Sequence, residues 1–123
     1  MVRLFVFCAA LFGGSGVALG AFAAHGLKAR LAAEQLAVLQ TGVHYQMLHA
    51  LALLAVALLA LQRPQRLLWL AGGFFIGGVL LFSGSLYLMV LAGLKLGLVT
   101  PVGGVSFLLG WGALALSAFK LAR

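Results

Sequence analysis

Four long apolar stretches, Leu4–Ala24, His44–Gln62, Leu67–Leu94 and Leu96–Phe119, occupy nearly all of this 123-residue chain. Each reaches or exceeds the roughly 17–25 residues that a helix needs to cross a hydrocarbon core. Lipid has no water with which to satisfy an open backbone, so a spanning segment without barrel partners must be helical. The expected fold is an all-α membrane protein, a single four-helix transmembrane domain over residues 1–123 with spans at about 4–24, 44–62, 67–94 and 98–119.

Composition narrows the partners. Only 7% of residues are charged, against about a quarter in soluble domains, so a water-soluble core of this kind would aggregate. Eight Lys and Arg face one acid, Glu34, for a formal charge of +7. The cations sit singly or in pairs at segment ends, where they anchor to anionic headgroups and set topology; membrane lipids, not nucleic acid, are the expected contact. No basic cluster with interleaved aromatics is present. The single Cys8 lies inside the first stretch, which excludes an intramolecular disulfide and suits a small buried hydrophobe.

Arg3 followed by an apolar run and Ala21-Phe22-Ala23 also has the outline of a signal peptide. Retention is the expectation. The run is long for such a leader, and Gly16-x-x-x-Gly20 has the small-residue spacing that lets membrane helices pack closely. On alternate sides of the spans, Arg3, Arg63, Arg66, Lys120 and Arg123 stand against Lys28, Arg30 and Lys95. The positive-inside rule then places both termini in the cytoplasm and the protein in the cytoplasmic (inner) membrane. Arg63-Pro64-Gln65-Arg66 reads as a tight cytoplasmic turn, because Pro64 removes a donor and pushes its predecessor out of helical geometry.

Residues 27–40 are the only extended polar-flecked segment. Leu27, Leu31 and Val38 near helical spacing, with Lys28, Arg30, Glu34, Gln35 and Gln40 between them, predict a short amphipathic helix in the interface, either an anchoring connector or a docking surface. The third stretch is too long for a straight span: 28 residues would run roughly 42 Å, so tilt, a kink or a longer interfacial end must absorb the excess. Gly73-x-x-x-Gly77 offers a second close-packing face. Ser83 and Ser85, flanking Gly84, can bond back to carbonyls one turn earlier or reach a neighbouring helix. Phe12-Gly13-Gly14-Ser15, Gly26-Leu27-Lys28 and Thr41-Gly42-Val43 are echoed in order by Phe82-Ser83-Gly84-Ser85, Gly93-Leu94-Lys95 and Thr100-Pro101-Val102. Two parallel helical-hairpin repeats are the arrangement such an echo would describe.

Chemistry has few candidates. One acid cannot form a carboxylate pair, and no Ser-His-Asp set or phosphate-cradling glycine motif is present. What remains is a polar cluster at membrane depth, His25, Tyr45, Gln46 and His49, with Tyr87 and His44 nearby. On a helix, Tyr45, Gln46 and His49 share a face, whereas His44 and His49 differ by roughly 140° and cannot readily hold one ion. His25 and His49, flanked by Tyr45 and Gln46, form the expected pair. A hydrogen-bond network locking the first two helices is its simplest role; a proton relay, substrate contact or haem or metal site are the alternatives. No metal or cofactor is expected, since neither Cys nor carboxylate completes a ligand set.

Gly20-Ala21-Phe22-Ala23-Ala24-His25-Gly26-Leu27, Thr41-Gly42-Val43-His44-Tyr45-Gln46-Met47-Leu48-His49-Ala50, Phe82-Ser83-Gly84-Ser85-Leu86-Tyr87 and Thr100-Pro101-Val102-Gly103-Gly104 with Gly110-Trp111 closely resemble the YgdD-like family of small multi-pass inner-membrane proteins. The resemblance covers essentially the whole chain and implies the four-span fold and the inner-membrane location. It carries His25, Tyr45 and His49 over as motif positions, while Ala23 and His44 replace the Gly and Gln usual in relatives. It implies no activity. The functional expectation is a non-enzymatic packing, binding or accessory subunit, forming a homo-oligomer or pairing with another membrane protein. A small oligomeric transporter or channel-like protein, or a haem- or metal-binding redox component, are the alternatives.

Overall fold

The computed structural model describes residues 1–121. Four helices in it are long and apolar enough to cross a membrane: α1 (Val2–Leu27), α2 (Ala33–Gln62), α3 (Arg66–Ala92) and α4 (Val99–Lys120). No strand occurs among the described residues. Arg123, one of the cations used for the topology expectation, lies outside them.

The first connection corrects the expected interfacial helix over 27–40. α1 closes with a π-helical turn at Ala23–Leu27, residues 28–32 turn without helix, and α2 begins at Ala33. Residues 33–40 are the opening turns of α2. From Ala33 to Gln62 there is no proline and a single glycine, Gly42, so nothing interrupts a helix whose backbone bonds are all internal. Ala32 is extended (φ −62°, ψ 156°), and its N–H donates to Oε1 of Gln35 at 3.2 Å, which caps the start. Buried Leu39 packs that turn against Ala23 and Leu27 of α1.

The other connections follow their sequence signals. Arg63 (φ −136°, ψ 76°) and extended Gln65 bracket Pro64 and reverse the chain between α2 and α3. α3 ends at Ala92, two residues before the expected limit. Gly93 takes the left-handed conformation (φ 69°) that glycine alone adopts without steric cost, and its N–H bonds to the Leu88 carbonyl. Pro101 lies in the first turn of α4, where its missing N–H has no helical acceptor to forgo. The overlong third stretch carries a π-helical turn at Val79–Ser83 in its second half, a local widening that is a recognised cause of helix bending.

Helix packing rests on rings and backbones set against glycines. The main core joins Phe5 of α1, Leu53 and Val56 of α2, Leu68, Phe75 and Val79 of α3 and Phe107 of α4. A Cβ at Gly72 would strike the ring of Phe5, one at Gly78 the ring of Phe107, one at Gly110 the ring of Phe75, and one at Gly42 the ring of Tyr87. Gly16 receives Met47 in the same way, and a Cβ at Gly20 would lie 3.4 Å from Cγ1 of Val43. At Gly103 the obstacle is backbone: the N and Cα of Phe82 and the carbonyl carbon of Leu81, inside the π turn of α3. Close approach of α3 and α4 therefore depends on Gly103 together with Gly78 and Gly110.

Two expected packing glycines are displaced by this geometry. Gly73 has nothing within 4 Å of its would-be Cβ, and Gly84 meets nothing nearer than the Val79 carbonyl at 4.0 Å, on its own helix. On α3, Gly72 faces α1 and Gly78 faces α4. A Cβ at Gly77 would lie 3.3 Å from Oγ of Ser106 on α4. Spacing alone selects a pair of glycines four apart; the rotation of α3 about its axis decides which of two adjacent glycines faces a neighbour.

Candidate functional site

Gln46 is the hub of the polar interior. It is 3% exposed and uses both ends of its amide. Nε2 donates to the Phe12 carbonyl and to Oγ of Ser15, each at 2.8 Å, and Oε1 accepts from the Tyr87 hydroxyl at 2.6 Å. One side chain on α2 thus ties α1 to α3. Phe12 and Ser15 lie near the middle of α1, with Arg3 about 14 Å to one side of Phe12 and Lys28 about 20 Å to the other side of Ser15 at helical rise. Gln46 is therefore well inside the hydrocarbon, where an unpaired amide would be costly.

His49 lies one turn further along α2 and belongs to a second unit. Trp111 of α4 donates its indole N–H to Nε2 of His49 at 3.0 Å, and Nδ1 of His49 lies 2.7 Å from the Tyr45 carbonyl. An indole N–H can only donate, so Nε2 must be the acceptor. The network then assigns the remaining hydrogen to Nδ1, which gives it to Tyr45. The imidazole stacks on Phe107 (centroids 3.6 Å, 12°) and meets Phe75 at 5.4 Å in edge contact.

The expected His25–His49 pair is not formed. Both nitrogens of His49 are engaged by Tyr45 and Trp111, and His25 is exposed in the closing π turn of α1. The expected cluster of His25, Tyr45, Gln46 and His49 is divided: His25 stands apart, Gln46 turns away from the others, and Tyr45 stays stacked beside His49 with centroids 6.2 Å apart. Gln46 turns toward α1 and α3, and His49 toward α4. Tyr45, 38% exposed, packs its ring 4.9 Å from Phe82. A 100° step between neighbouring helical residues separates Tyr45 from Gln46, and α2 has different helices on those two sides. His44 is exposed.

Hydroxyl groups complete the interior. Ser83 donates across to the Gly42 carbonyl at 2.7 Å. Ser85 bonds back to the Phe82 carbonyl at 2.9 Å and also meets the Thr100 hydroxyl at 2.5 Å on α4. Ser106 reaches the Phe74 carbonyl at 2.7 Å. Ser83 and Ser85 thus make the interhelical contacts that their sequence positions left open beside back-bonding. Ser15, Thr100, Ser106 and Trp111 stood outside the expected cluster; each carries a polar atom on an apolar helix, which is a signal the sequence does contain.

The side chains of this interior are hydrogen-bonded to one another or to carbonyls. Among the described residues, no three His, Cys, Asp or Glu side chains come together to hold a metal. Its energetic role is testable. Gln46→Leu removes the acceptor of the Tyr87 hydroxyl and should destabilise the bundle by about 1–3 kcal/mol. In a double-mutant cycle with Tyr87→Phe, unfolding in mixed micelles should return a coupling of about 1 kcal/mol. Strict additivity would remove the Gln46–Tyr87 bond from the stabilising set.

The matching family is described as "Protein of unknown function (DUF423)", and it covers residues 19–104. The chain belongs to this family. A UPF0382 membrane protein of Haemophilus influenzae is 49% identical over 90% of both chains. The UPF0382 inner membrane protein YgdD of Escherichia coli K12 is 43% identical over 98% of this chain and 93% of its own. A UPF0382 membrane protein of Staphylococcus aureus is 40% identical over 98% and 99%. No solved structure matches. Membership and four spanning helices together make this a multi-pass inner-membrane protein.

Proposed function

We propose that the protein acts without catalysis, as a binding or accessory subunit of the inner membrane with both termini in the cytoplasm. The observation that carries this reading is the closed hydrogen bonding of the interior: Gln46, Tyr87 and Ser15, then His49 and Trp111, satisfy one another across four helices. Each of these bonds joins side chains on two different helices, which is what a packing role requires. Such a network favours a rigid scaffold whose work is done at its lipid-facing surface. There the partners are membrane lipids together with a second copy or another membrane protein. The cations at helix ends suit headgroups and offer no patch for nucleic acid.

Affinity purification from native membranes in lipid nanodiscs tests this. A stoichiometric membrane-protein partner, or a defined oligomer, is the expected result; a lone monomer with nothing retained would overturn it. Topology has its own check. Reporter fusions after Arg123 should be cytoplasmic and fusions within residues 28–32 periplasmic, because five cations stand against three. A cytoplasmic signal from the 28–32 turn would reverse the orientation.

A further inference from the structure

A groove of about 310 Å3 opens between α2, α3 and α4, lined by Tyr45, His49, Phe82, Gly104, Phe107 and Trp111. Its volume is at the lower end of the roughly 300–1,000 Å3 typical of ligand pockets. The walls are aromatic and mutually packed: Tyr45 on Phe82 at 4.9 Å, Phe82 on Phe107 at 5.6 Å, His49 on Phe107 at 3.6 Å. Trp111 is 41% exposed and Tyr45 38%, so the groove opens sideways to lipid. It lies at the level of Gln46 and the turn below, deep in the hydrocarbon by the position of that residue against the middle of α1.

One polar atom here is unused. Both nitrogens of His49 and the indole N–H of Trp111 are engaged. Among the described residues the Tyr45 hydroxyl makes no hydrogen bond, although its ring is held from several sides. A phenol facing hydrocarbon without an acceptor is unfavourable, and acyl chains carry no acceptor at this depth. We infer that the groove binds an uncharged, lipid-soluble ligand with a flat ring bearing a carbonyl acceptor, the quinone class, its ring on the aromatic wall and one carbonyl accepting from Tyr45. Aromatic faces suit a planar ring in offset contact. A charged ligand is disfavoured because neither the sole acid, Glu34, nor any Lys or Arg lines the groove. A single free donor matches a single carbonyl. This rests on the reading of the protein as a non-catalytic binding subunit and specifies what it binds.

The test uses the full chain with Trp69→Phe, so that Trp111 is the only indole, in nanodiscs of phosphatidylethanolamine and phosphatidylglycerol. The probe is decyl-benzoquinone, and the readout is Trp111 fluorescence. Saturable quenching is expected. Tyr45→Phe, which removes only the hydroxyl, should weaken it about fivefold. Gly104→Leu should abolish saturation by filling the groove; a Cβ there meets nothing nearer than Cδ2 of Phe82 at 4.0 Å, so the backbone is not forced apart. Linear, non-saturating quenching in the parent, or saturation unchanged in both variants, would overturn the proposal. Equal displacement of the probe by decane would also overturn it, by assigning the groove to acyl chains. Loss of quinone binding with a protein partner still retained in native nanodiscs would overturn this inference alone and leave the proposed function standing.

Discussion

Gly103→Ala should lower the unfolding free energy by about 3 kcal/mol, or prevent accumulation in the membrane. A Cβ at this position would overlap the backbone of Phe82 and Leu81. Backbone in a helix cannot rotate aside as a ring can, so α3 and α4 would have to separate along their contact. The separation would also disturb the neighbouring Ser85–Thr100 hydroxyl contact and the groove wall at Phe82. Gly73→Ala is the matched control. Its Cβ enters open space, and a helical Gly→Ala change there should fall within about 0.5 kcal/mol of neutral. Unfolding in mixed detergent micelles compares the two directly, and equal midpoints would remove the α3–α4 backbone contact as a determinant of stability.

His49→Ala should cost about 3 kcal/mol, and His44→Ala less than about 0.5 kcal/mol. His49 is 2% exposed, stacked on Phe107 and bonded through both ring nitrogens. Its removal leaves a cavity and strands the Trp111 N–H in hydrocarbon. His44 is exposed, so its loss opens no cavity. Trp111 emission provides a second readout, because the indole loses its acceptor in His49→Ala alone. A His49→Ala protein as stable as the parent would show that the stacked imidazole contributes nothing to the bundle.

Much of the fold was legible because its causes are local. Apolar length, cation placement and Pro64 act within a few residues of themselves, so four spans and the turn at Pro64 follow from one dimension of information, whereas the stop at Gly93 was not read. The interfacial helix was misplaced for a related reason. Polar residues between 27 and 40 mark a connection, but they do not break a helix, and α2 already begins at Ala33. The polar site was half legible. Gln46 and His49 announce themselves as costly groups at membrane depth, yet their partners sit on other helices 31 to 62 residues away in sequence.

By itself the sequence determined the solvent of this protein, the number of its helices and the list of polar atoms that had to be satisfied inside them, since hydropathy and backbone hydrogen bonding depend only on neighbours along the chain. Tertiary structure alone decided how each helix is rotated. That rotation set Gly72 and Gly78 rather than Gly73 against a ring, gave His49 to Trp111 rather than His25, and left Tyr45 facing a groove. A uniformly apolar helix carries almost no amphipathic signal to orient it in lipid, so its facing is chosen by where a ring or a backbone fits a glycine and where each buried polar atom finds its partner.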